Sequence, residues 1–203
     1  MEIKITGKLV AFLRNLFLHE IIIYLIIKLY KLIVGEQVNK AFGVYSLSQV
    51  KDVGVNVKFH GKTVIHDSRN LCIGNNVRIG SGCFFFCMGG LKIGDGTVIS
   101  RNVTIYTANH DIKGAAVPYD DNYINKSVNI GKAVWIGMNV AITPGVSIGD
   151  GAIIGMNTVI SKNVFPGETV VGPSQRAVST RNMEEFNDLV LKQSYFAKKW
   201  PDA

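Results

Sequence analysis

The hydrophobic positions of this chain follow a six-residue period from Val53 to Ile160. Fifteen positions at this spacing are apolar and twelve of them are isoleucine. The period slips by two residues at 71–72 and at 91–92, where we predict corner bulges, and it is interrupted for longer at 111–129. Short hexad repeats are typical of β-helices. The fifteen positions are Val53, Phe59, Ile65, Ile73, Ile79, Phe85, Ile93, Ile99, Ile105, Ile130, Ile136, Ile142, Ile148, Ile154 and Ile160.

Six residues form one short strand and a corner, so three such units close a triangular coil of eighteen residues. Anchor residues eighteen apart then stack in the interior, with neighbouring strands about 4.8 Å apart. A sandwich of short strands would instead show alternation with period two. The pattern therefore predicts an all-β fold, a β-helix of about five triangular coils. The predicted coils are 53–70, 73–90, 93–110, 130–147 and 148–165.

The N-terminal segment, residues 1–52, lacks the repeat and is predicted to be helical and apolar or amphipathic. Its longest uninterrupted apolar stretch, 21–27, is much shorter than the ~20 residues of a membrane span. Three interpretations of residues 9–34 stay open: a basic helix lying in the membrane interface, which these features favour, a helix docked on the protein's own trimer, or a true span or signal. The interrupting residues are Arg14, Asn15, His19, Glu20, Lys28 and Lys31.

Composition narrows the class of partner. The 203 residues carry a net charge of +7, which favours anionic partners such as nucleotide phosphates or a membrane surface. A nucleic-acid partner is not expected, because no basic run is interleaved with aromatic residues. The three cysteines lack metal-ligand spacing and indicate buried thiols in a reducing compartment.

The long interruption of the repeat, loop 111–129, is where we expect the chemistry, because loops on rigid scaffolds concentrate catalytic groups. His110 stands at its root. A histidine with an ordinary pKa of about 6.5 suits general-base activation of a hydroxyl near neutral pH. Asp111, Asp120, Asp121 and a backbone carbonyl are all candidates to orient its ring. His60 and His66, six residues apart, are predicted to lie on different faces, so no metal site is expected.

Three stretches carry a family resemblance: Tyr106–His110 (YTANH), Ile130–Gly137 (IGKAVWIG) and Ile142–Asp150 (ITPGVSIGD). They resemble the hexapeptide-repeat acyltransferases, and are most similar to the sugar O-acetyltransferases of the maltose and galactoside type and to polysaccharide-modifying relatives. The resemblance covers 53–178. It implies a left-handed parallel β-helix, a homotrimer, and active sites between subunits that take acetyl-CoA as co-substrate without a metal.

The resemblance also implies roles for individual residues. His110 matches the family's general base and Trp135 its tryptophan beside the acyl donor, and Arg176 matches a basic position near the nucleotide end of CoA. The segment Gly172–Arg176 departs from the family's Gly-Asn-Pro-Ala-Lys pattern, and Cys83–Gly90 lacks the asparagine that galactoside-type enzymes place near the acceptor. The remaining positions that match the CoA groove are Gly137, Met138, Gly155, Ser161 and Lys162.

The function implied by the resemblance is O-acetylation of a sugar hydroxyl. The apolar N-terminal segment favours a cytoplasmic enzyme at the inner face of the cell membrane, acting on a surface-polysaccharide or lipopolysaccharide precursor. The alternatives are a xenobiotic acetyltransferase of the streptogramin or chloramphenicol type, a sugar N-acetyltransferase, and a non-catalytic β-helix scaffold. The tail, residues 179–203, has apolar residues at helical spacing and is predicted to form a short helix that caps the open end of the β-helix.

Overall fold

A computed structural model describes residues 7–111, 119, 121–173, 175–180, 182–195 and 198, without the side chains of 7–16, 32–33 and 178. The chain divides into two compact units, residues 1–39 and 40–203. The structure therefore groups residues 40–52 with the β-helix, whereas the sequence pattern placed the boundary after residue 52.

The N-terminal segment is helical, as its composition predicts. Helix α1 spans Gly7–Tyr30, a π-helical stretch spans Lys31–Gly35, and α2 spans Glu36–Ser48. The residues Ile21–Ile27 are all exposed and cover almost two turns at 3.6 residues per turn, so this part of α1 is apolar on every side rather than amphipathic. Among the described residues, no helix combines the length and apolar character needed to cross a membrane.

The second half of α2 closes the first coil of the β-helix. A Cβ at Gly43 would collide with the carbonyl oxygen of Phe59, so the glycine permits a close approach. The Ser46 hydroxyl donates to the Thr63 carbonyl oxygen at 3.3 Å and accepts from the Thr63 amide at 3.2 Å. Because an uncovered coil edge presents unpaired backbone groups, this end of the helix protects the start of the stack.

The β-helix consists of short strands separated by tight corners, with a 3₁₀ turn at Ser68–Asn70. The strands in chain order are β1 Asp52–Val53, β2 Lys58–Phe59, β3 Val64–His66, β4 Leu71–Ile73, β5 Arg78–Ile79, β6 Phe84–Phe86, β7 Leu91–Ile93, β8 Val98–Ile99, β9 Thr104–Tyr106, β10 Ala108–His110, β11 Tyr123–Asn125, β12 Val128–Ile130, β13 Trp135–Ile136, β14 Ala141–Ile142, β15 Ser147–Ile148, β16 Ile153–Ile154, β17 Val159–Ile160, β18 Glu168–Val171 and β19 Arg176–Thr180.

Three parallel sheets form the faces of the coil. Sheet A has the order β1-β4-β7-β12-β15, sheet B β2-β5-β8-β13-β16-β18, and sheet C β3-β6-β9-β14-β17. Each coil visits the sheets in the order A, B, C. The predicted parallel β-helix is confirmed, and it is longer than the five coils expected, because a bridge from Ile148 to Val164 and strand β18 begin a sixth.

The interior explains the hexad. Thirteen of the fifteen anchors are buried, and the two exceptions, Val53 and Ile65, lie in the first coil. The two-residue slips also differ from prediction, because Leu71 and Leu91 are fully buried strand residues. The extra length lies before them instead, and at the first slip the 3₁₀ turn absorbs it.

Two of the three cysteines fill this interior, as expected. Cys83 and Cys87 are free and buried. Burial raises the pKa of Cys83 to about 11 and that of Cys87 to about 12, because a thiolate loses its hydration there. Cys72 is half-buried.

The C-terminal tail closes the other end differently from the prediction. Strand β19 pairs antiparallel with β18 and covers its edge. Helix α3, Met183–Leu191, begins where the Asn182 side chain accepts from two backbone amides, and its Phe186 packs on the turn at Gly151 along the corner between sheets A and B. A strand therefore covers the open edge, and the helix lies beside the coils. Phe196 and Lys199, which the sequence pattern assigned to this helix, lie outside the described residues.

Candidate active site

His110 lies on a hairpin that projects from the third coil. Strand β10 pairs antiparallel with β11, with His110 opposite Tyr123, and the Asp111 amide donates to the Asn122 carbonyl oxygen at 2.9 Å. The repeat resumes at Val128, opposite Leu91. The excursion is therefore shorter than the loop 111–129 expected from the sequence, and its two ends pair as strands, which fixes the backbone position of His110.

Two tyrosines flank the half-buried His110 ring. The Tyr119 ring stacks on it with a centroid distance of 3.8 Å and 16° between the planes, and the Tyr123 ring lies 4.2 Å away. These contacts restrict the plane of the imidazole. Asp120, one of the acids proposed to orient His110, lies outside the described residues, and Asp121 is exposed.

A cavity of about 220 Å³ opens beside His110 on the outer face of sheet C. Sequence reasoning missed most of its walls. Residues 66, 86 and 106 are twenty apart and occupy one register of β3, β6 and β9, so aromatic residues recurring at that interval were the available signal. The wall residues besides His110 include His66, Phe84, Phe86, Tyr106, Asn109 and Tyr123.

A larger groove of about 710 Å³ runs along sheet A. Its lining includes Asp52, Cys72, Lys92 and Asn129, and none of the predicted site residues is among its walls. A hydrogen bond to Asp52 is the main cause that raises the pKa of Cys72, ahead of burial, which disfavours a reactive thiolate there. The smaller cavity, which contains His110, is therefore the better candidate for the chemistry.

Four predicted CoA-groove residues lie on sheet B or at the corner between sheets B and C, Trp135, Gly137 and Met138 in the fourth coil and Gly155 in the fifth. Trp135 is 54% exposed on sheet B, which rules out a role as plain core packing, and Met138 is 40% exposed. A Cβ at Gly137 would lie 2.7 Å from the Met156 amide nitrogen, and one at Gly155 2.9 Å from the Val171 side chain. The two glycines are thus required by the stacking of the coils, whatever binds outside.

Ser161 and Lys162 follow β17 and lie at the corner between sheets C and A. Their amides donate to the Gln175 side-chain oxygen at 3.2 and 2.9 Å, and the Gln175 amide group donates to the Lys162 carbonyl oxygen at 3.0 Å. Gln175 thereby ties the turn that precedes Arg176 to the fifth coil. The sequence flagged this segment as a departure from the family but did not assign Gln175 a role.

The predicted residues thus fall into two groups on opposite edges of sheet C. His110 projects from the C-to-A corner of the third coil, where Thr143 lies in the fourth, and Met138 lies at the B-to-C corner. At about 3.3 Å per residue, corners five residues apart such as Met138 and Thr143 are roughly 15 Å apart. Trp135, Gly137 and Met138 are therefore separated from His110 by the width of sheet C, whereas Ser161 and Lys162 lie on the same edge as His110.

In the part of the chain that the structure describes, no group of three histidine, cysteine, aspartate or glutamate side chains is arranged to hold a metal ion. The lowered pKa of His60, caused first by its burial and then by Arg78 and Lys58, belongs to a residue outside the cavity beside His110.

Comparisons with known proteins identify families and relatives that share the hexapeptide repeat. The model of the bacterial transferase hexapeptide (six repeats) matches residues 127–162, and the hexapeptide repeat of succinyl-transferase matches 71–107. Nodulation protein L of Rhizobium meliloti (strain 1021) is 41% identical over 113 residues, which are 53% of this chain and 58% of that protein. The match thus spans little more than half the length of this curated relative.

Solved structures of two acetyltransferases are similar to this chain in fold and sequence. A maltose O-acetyltransferase from Clostridium difficile 630 is 30% identical, with a TM-score of 0.56 over 65% of this chain and 68% of that one. A galactoside acetyltransferase in complex with coenzyme A is 27% identical, with a TM-score of 0.58 over 66% and 67%. The resemblance found in the sequence motifs is confirmed, and the chain belongs to the hexapeptide-repeat acyltransferase family.

Proposed function

We propose that this protein is an acetyl-CoA-dependent O-acetyltransferase that acts on a sugar hydroxyl. The observation that carries the proposal is His110, held by a hairpin and two tyrosine rings at the end of an aromatic cavity. Exposed Trp135 adds support, because a half-exposed tryptophan on a rigid strand offers a large surface to a ligand.

The proposed mechanism is direct transfer. His110 takes the proton of the acceptor hydroxyl, and the oxygen forms a bond to the acetyl carbonyl carbon as the C–S bond of the thioester breaks. The imidazolium then returns its proton to the CoA thiolate, so protons and charge balance. Positioned general-base catalysis of this kind contributes roughly 10²- to 10⁴-fold.

The acyl donor is proposed to lie against the B-to-C corner of a neighbouring subunit. Trp135 and Met138 offer exposed apolar surface there, and Arg176 offers a positive charge for the phosphates. His110 lies on the far edge of sheet C in its own chain. The site therefore becomes complete when a second copy supplies the CoA-binding surface formed by Trp135, Met138 and Arg176, which we call the CoA groove. A closed ring of such head-to-tail contacts is a homotrimer with three shared sites.

The proposed acceptor is a precursor of a surface polysaccharide or lipopolysaccharide. Helix α1 is proposed to bind the membrane surface at which the enzyme reaches this acceptor. The exposed apolar residues Ile21–Ile27 and the nearby Lys28 and Lys31 suit an anionic lipid surface, as does the net charge of +7. In a flotation assay with phosphatidylglycerol vesicles, the full chain should float and Ile22→Glu/Ile26→Glu should sediment. Equal flotation of the two proteins would contradict the membrane contact.

The function itself is tested by a thiol-release screen. Acetyl-CoA and the full-length protein are incubated with sugars, oligosaccharides, sugar nucleotides and chloramphenicol, and each product is identified by mass spectrometry. An acetyl ester on a sugar is the expected product. An amide, or acetylated chloramphenicol alone, would refute the proposal in favour of one of the other acetyltransferase activities.

A further inference from the structure

The outer face of sheet C carries a continuous run of aromatic rings over its first three coils. These rings are His66, Phe84, Phe86 and Tyr106, and together with Tyr123 of the hairpin we call them the aromatic track. The His66 ring lies 5.3 Å from that of Phe84, and the Phe84 ring stacks at 5.6 Å on that of Tyr106. All five side chains are partly or largely solvent-exposed, so each offers some of its surface to a ligand.

The track leads directly to His110. The Phe86 and Tyr123 rings lie 6.0 Å apart, and Tyr123 lies 4.2 Å from His110, so one ring follows the next from the first coil to the hairpin. The cavity of about 220 Å³ encloses His110 together with the whole track. A molecule placed for reaction at His110 therefore also meets the rings below it.

The length of the track limits what it can bind. Neighbouring strands are about 4.8 Å apart, so the rings of the first three coils extend roughly 10 Å along the axis, which is longer than one pyranose ring. Aromatic faces pack well against the C–H faces of sugars, and the few polar groups here, such as Asn109 and His66, suit hydroxyl groups.

We propose that the aromatic track is an acceptor subsite for an oligosaccharide of at least two sugar units. The unit to be acetylated lies against Tyr123 and His110, and the next unit stacks on Tyr106, Phe86 and Phe84. This inference rests on the proposed function, because it names the class of acceptor that the site at His110 takes. It explains why the segment Cys83–Gly90 carries aromatic residues where a small-sugar enzyme would carry an asparagine.

The test measures binding as well as turnover. Saturation-transfer NMR and titration use two series on the full-length protein: glucose, maltose and maltotriose, and N-acetylglucosamine, chitobiose and chitotriose. In at least one series the disaccharide should bind roughly tenfold more tightly than the monosaccharide, because a second ring is stacked. No gain with length in either series would overturn the proposal.

Two double variants test whether the aromatic track causes the tighter binding of the disaccharide. Phe84→Ala/Phe86→Ala should remove the preference for length, and Phe84→Leu/Phe86→Leu should do the same if the alanine protein folds poorly. Val159→Ala, an exposed apolar position on sheet C two coils beyond the third, is the matched control and should keep the preference. Persistence of the preference in both track variants, or their conversion to a smaller assembly by native mass, would overturn the subsite.

The same measurements separate this inference from the proposed function. His110→Ala should lower the rate of acetyl transfer by roughly 10²- to 10⁴-fold and keep the gain in binding from monosaccharide to disaccharide. Transfer without a preference for length refutes the subsite alone, whereas length-dependent binding without any transfer refutes the proposed chemistry alone.

Discussion

Strand β6 contrasts the two regions that matter most in this molecule. Phe85 is fully buried among the stacked anchors, whereas its neighbours Phe84 and Phe86 point outward into the cavity beside His110. The interior position repeats in every coil, because each coil must fill the same space. On sheet C the outer positions are aromatic up to the hairpin, whereas beyond it they are Ala141 and Val159. The repeat therefore dictates the interior, and the outer face is where this chain departs from the repeat to meet its ligands.

The largest expected effect separates chemistry from stability. His110→Ala should lower the rate of acetyl transfer by roughly 10²- to 10⁴-fold, because the general base is lost. Thermal unfolding should be unchanged, since the ring lies outside the interior. The check is thiol release alongside a melting curve, and activity within a few-fold of the unaltered protein would refute the role.

A substitution inside the coil is expected to lower the stability of the fold. Phe85→Ala removes a ring with no exposed surface and should lower the free energy of unfolding by about 3–5 kcal/mol. Phe84→Ala, one residue away, is the matched control and should cost much less, since that ring is partly exposed. Urea denaturation measures both. Similar losses in the two variants would break the contrast between interior and outer face.

The buried thiols add a pH dependence to the interior. The pKa values of Cys83 and Cys87 are raised from 9.0 to about 11 and about 12, so the folded chain keeps these protons when the unfolded chain has lost them. Stability from these groups is present below pH 9 and falls above it, by about 1.4 kcal/mol per pH unit for each thiol. Urea denaturation at pH 8 and pH 10 should show a steeper loss than in Cys83→Ala/Cys87→Ala. Equal slopes would contradict the assignment.

The smallest expected effect concerns the turn before Arg176, at the edge of the proposed CoA groove. Gln175→Ala should raise KM for acetyl-CoA roughly fivefold with little change in kcat, because the turn before Arg176 loses hydrogen bonds worth ~1 kcal/mol each. Gln193→Ala, a polar position elsewhere in the tail, should leave both constants unchanged. Steady-state kinetics provide the test, and a fall in kcat at constant KM would exclude a purely positioning role.

The fold was largely predictable because stacking imposes a period. Anchors such as Ile79 and Ile136 are separated by whole coils and must all be apolar, so the pattern survives in a single sequence. The sixth coil escaped the pattern, since its contacts run through Val164 and β18 rather than through another hexad. The sequence did not predict that β19 covers the open edge, because a short tail with apolar residues is compatible with either a strand or a helix.

The candidate site was predictable only in part. His110 was found because it adjoins the break in the period. The aromatic track was missed, since His66 and Tyr106 are forty residues apart and meet a common surface only when three coils stack. Gln175 was missed because one glutamine in a turn has no sequence signature. The assignment of Gly137 and Gly155 to the CoA groove stays a prediction, and the close contact of neighbouring coils requires glycine at both positions in addition.

The central claim is that His110 of one subunit works with the groove of another, and a mixing experiment tests it most directly. His110→Ala and Met138→Glu chains with different tags are co-expressed, and trimers that carry both tags are isolated. Each chain alone should be inactive. Every mixed trimer then contains one intact pairing of histidine and groove, so about one third of full activity should return. Mixed trimers as inactive as their parents would contradict a site shared between subunits.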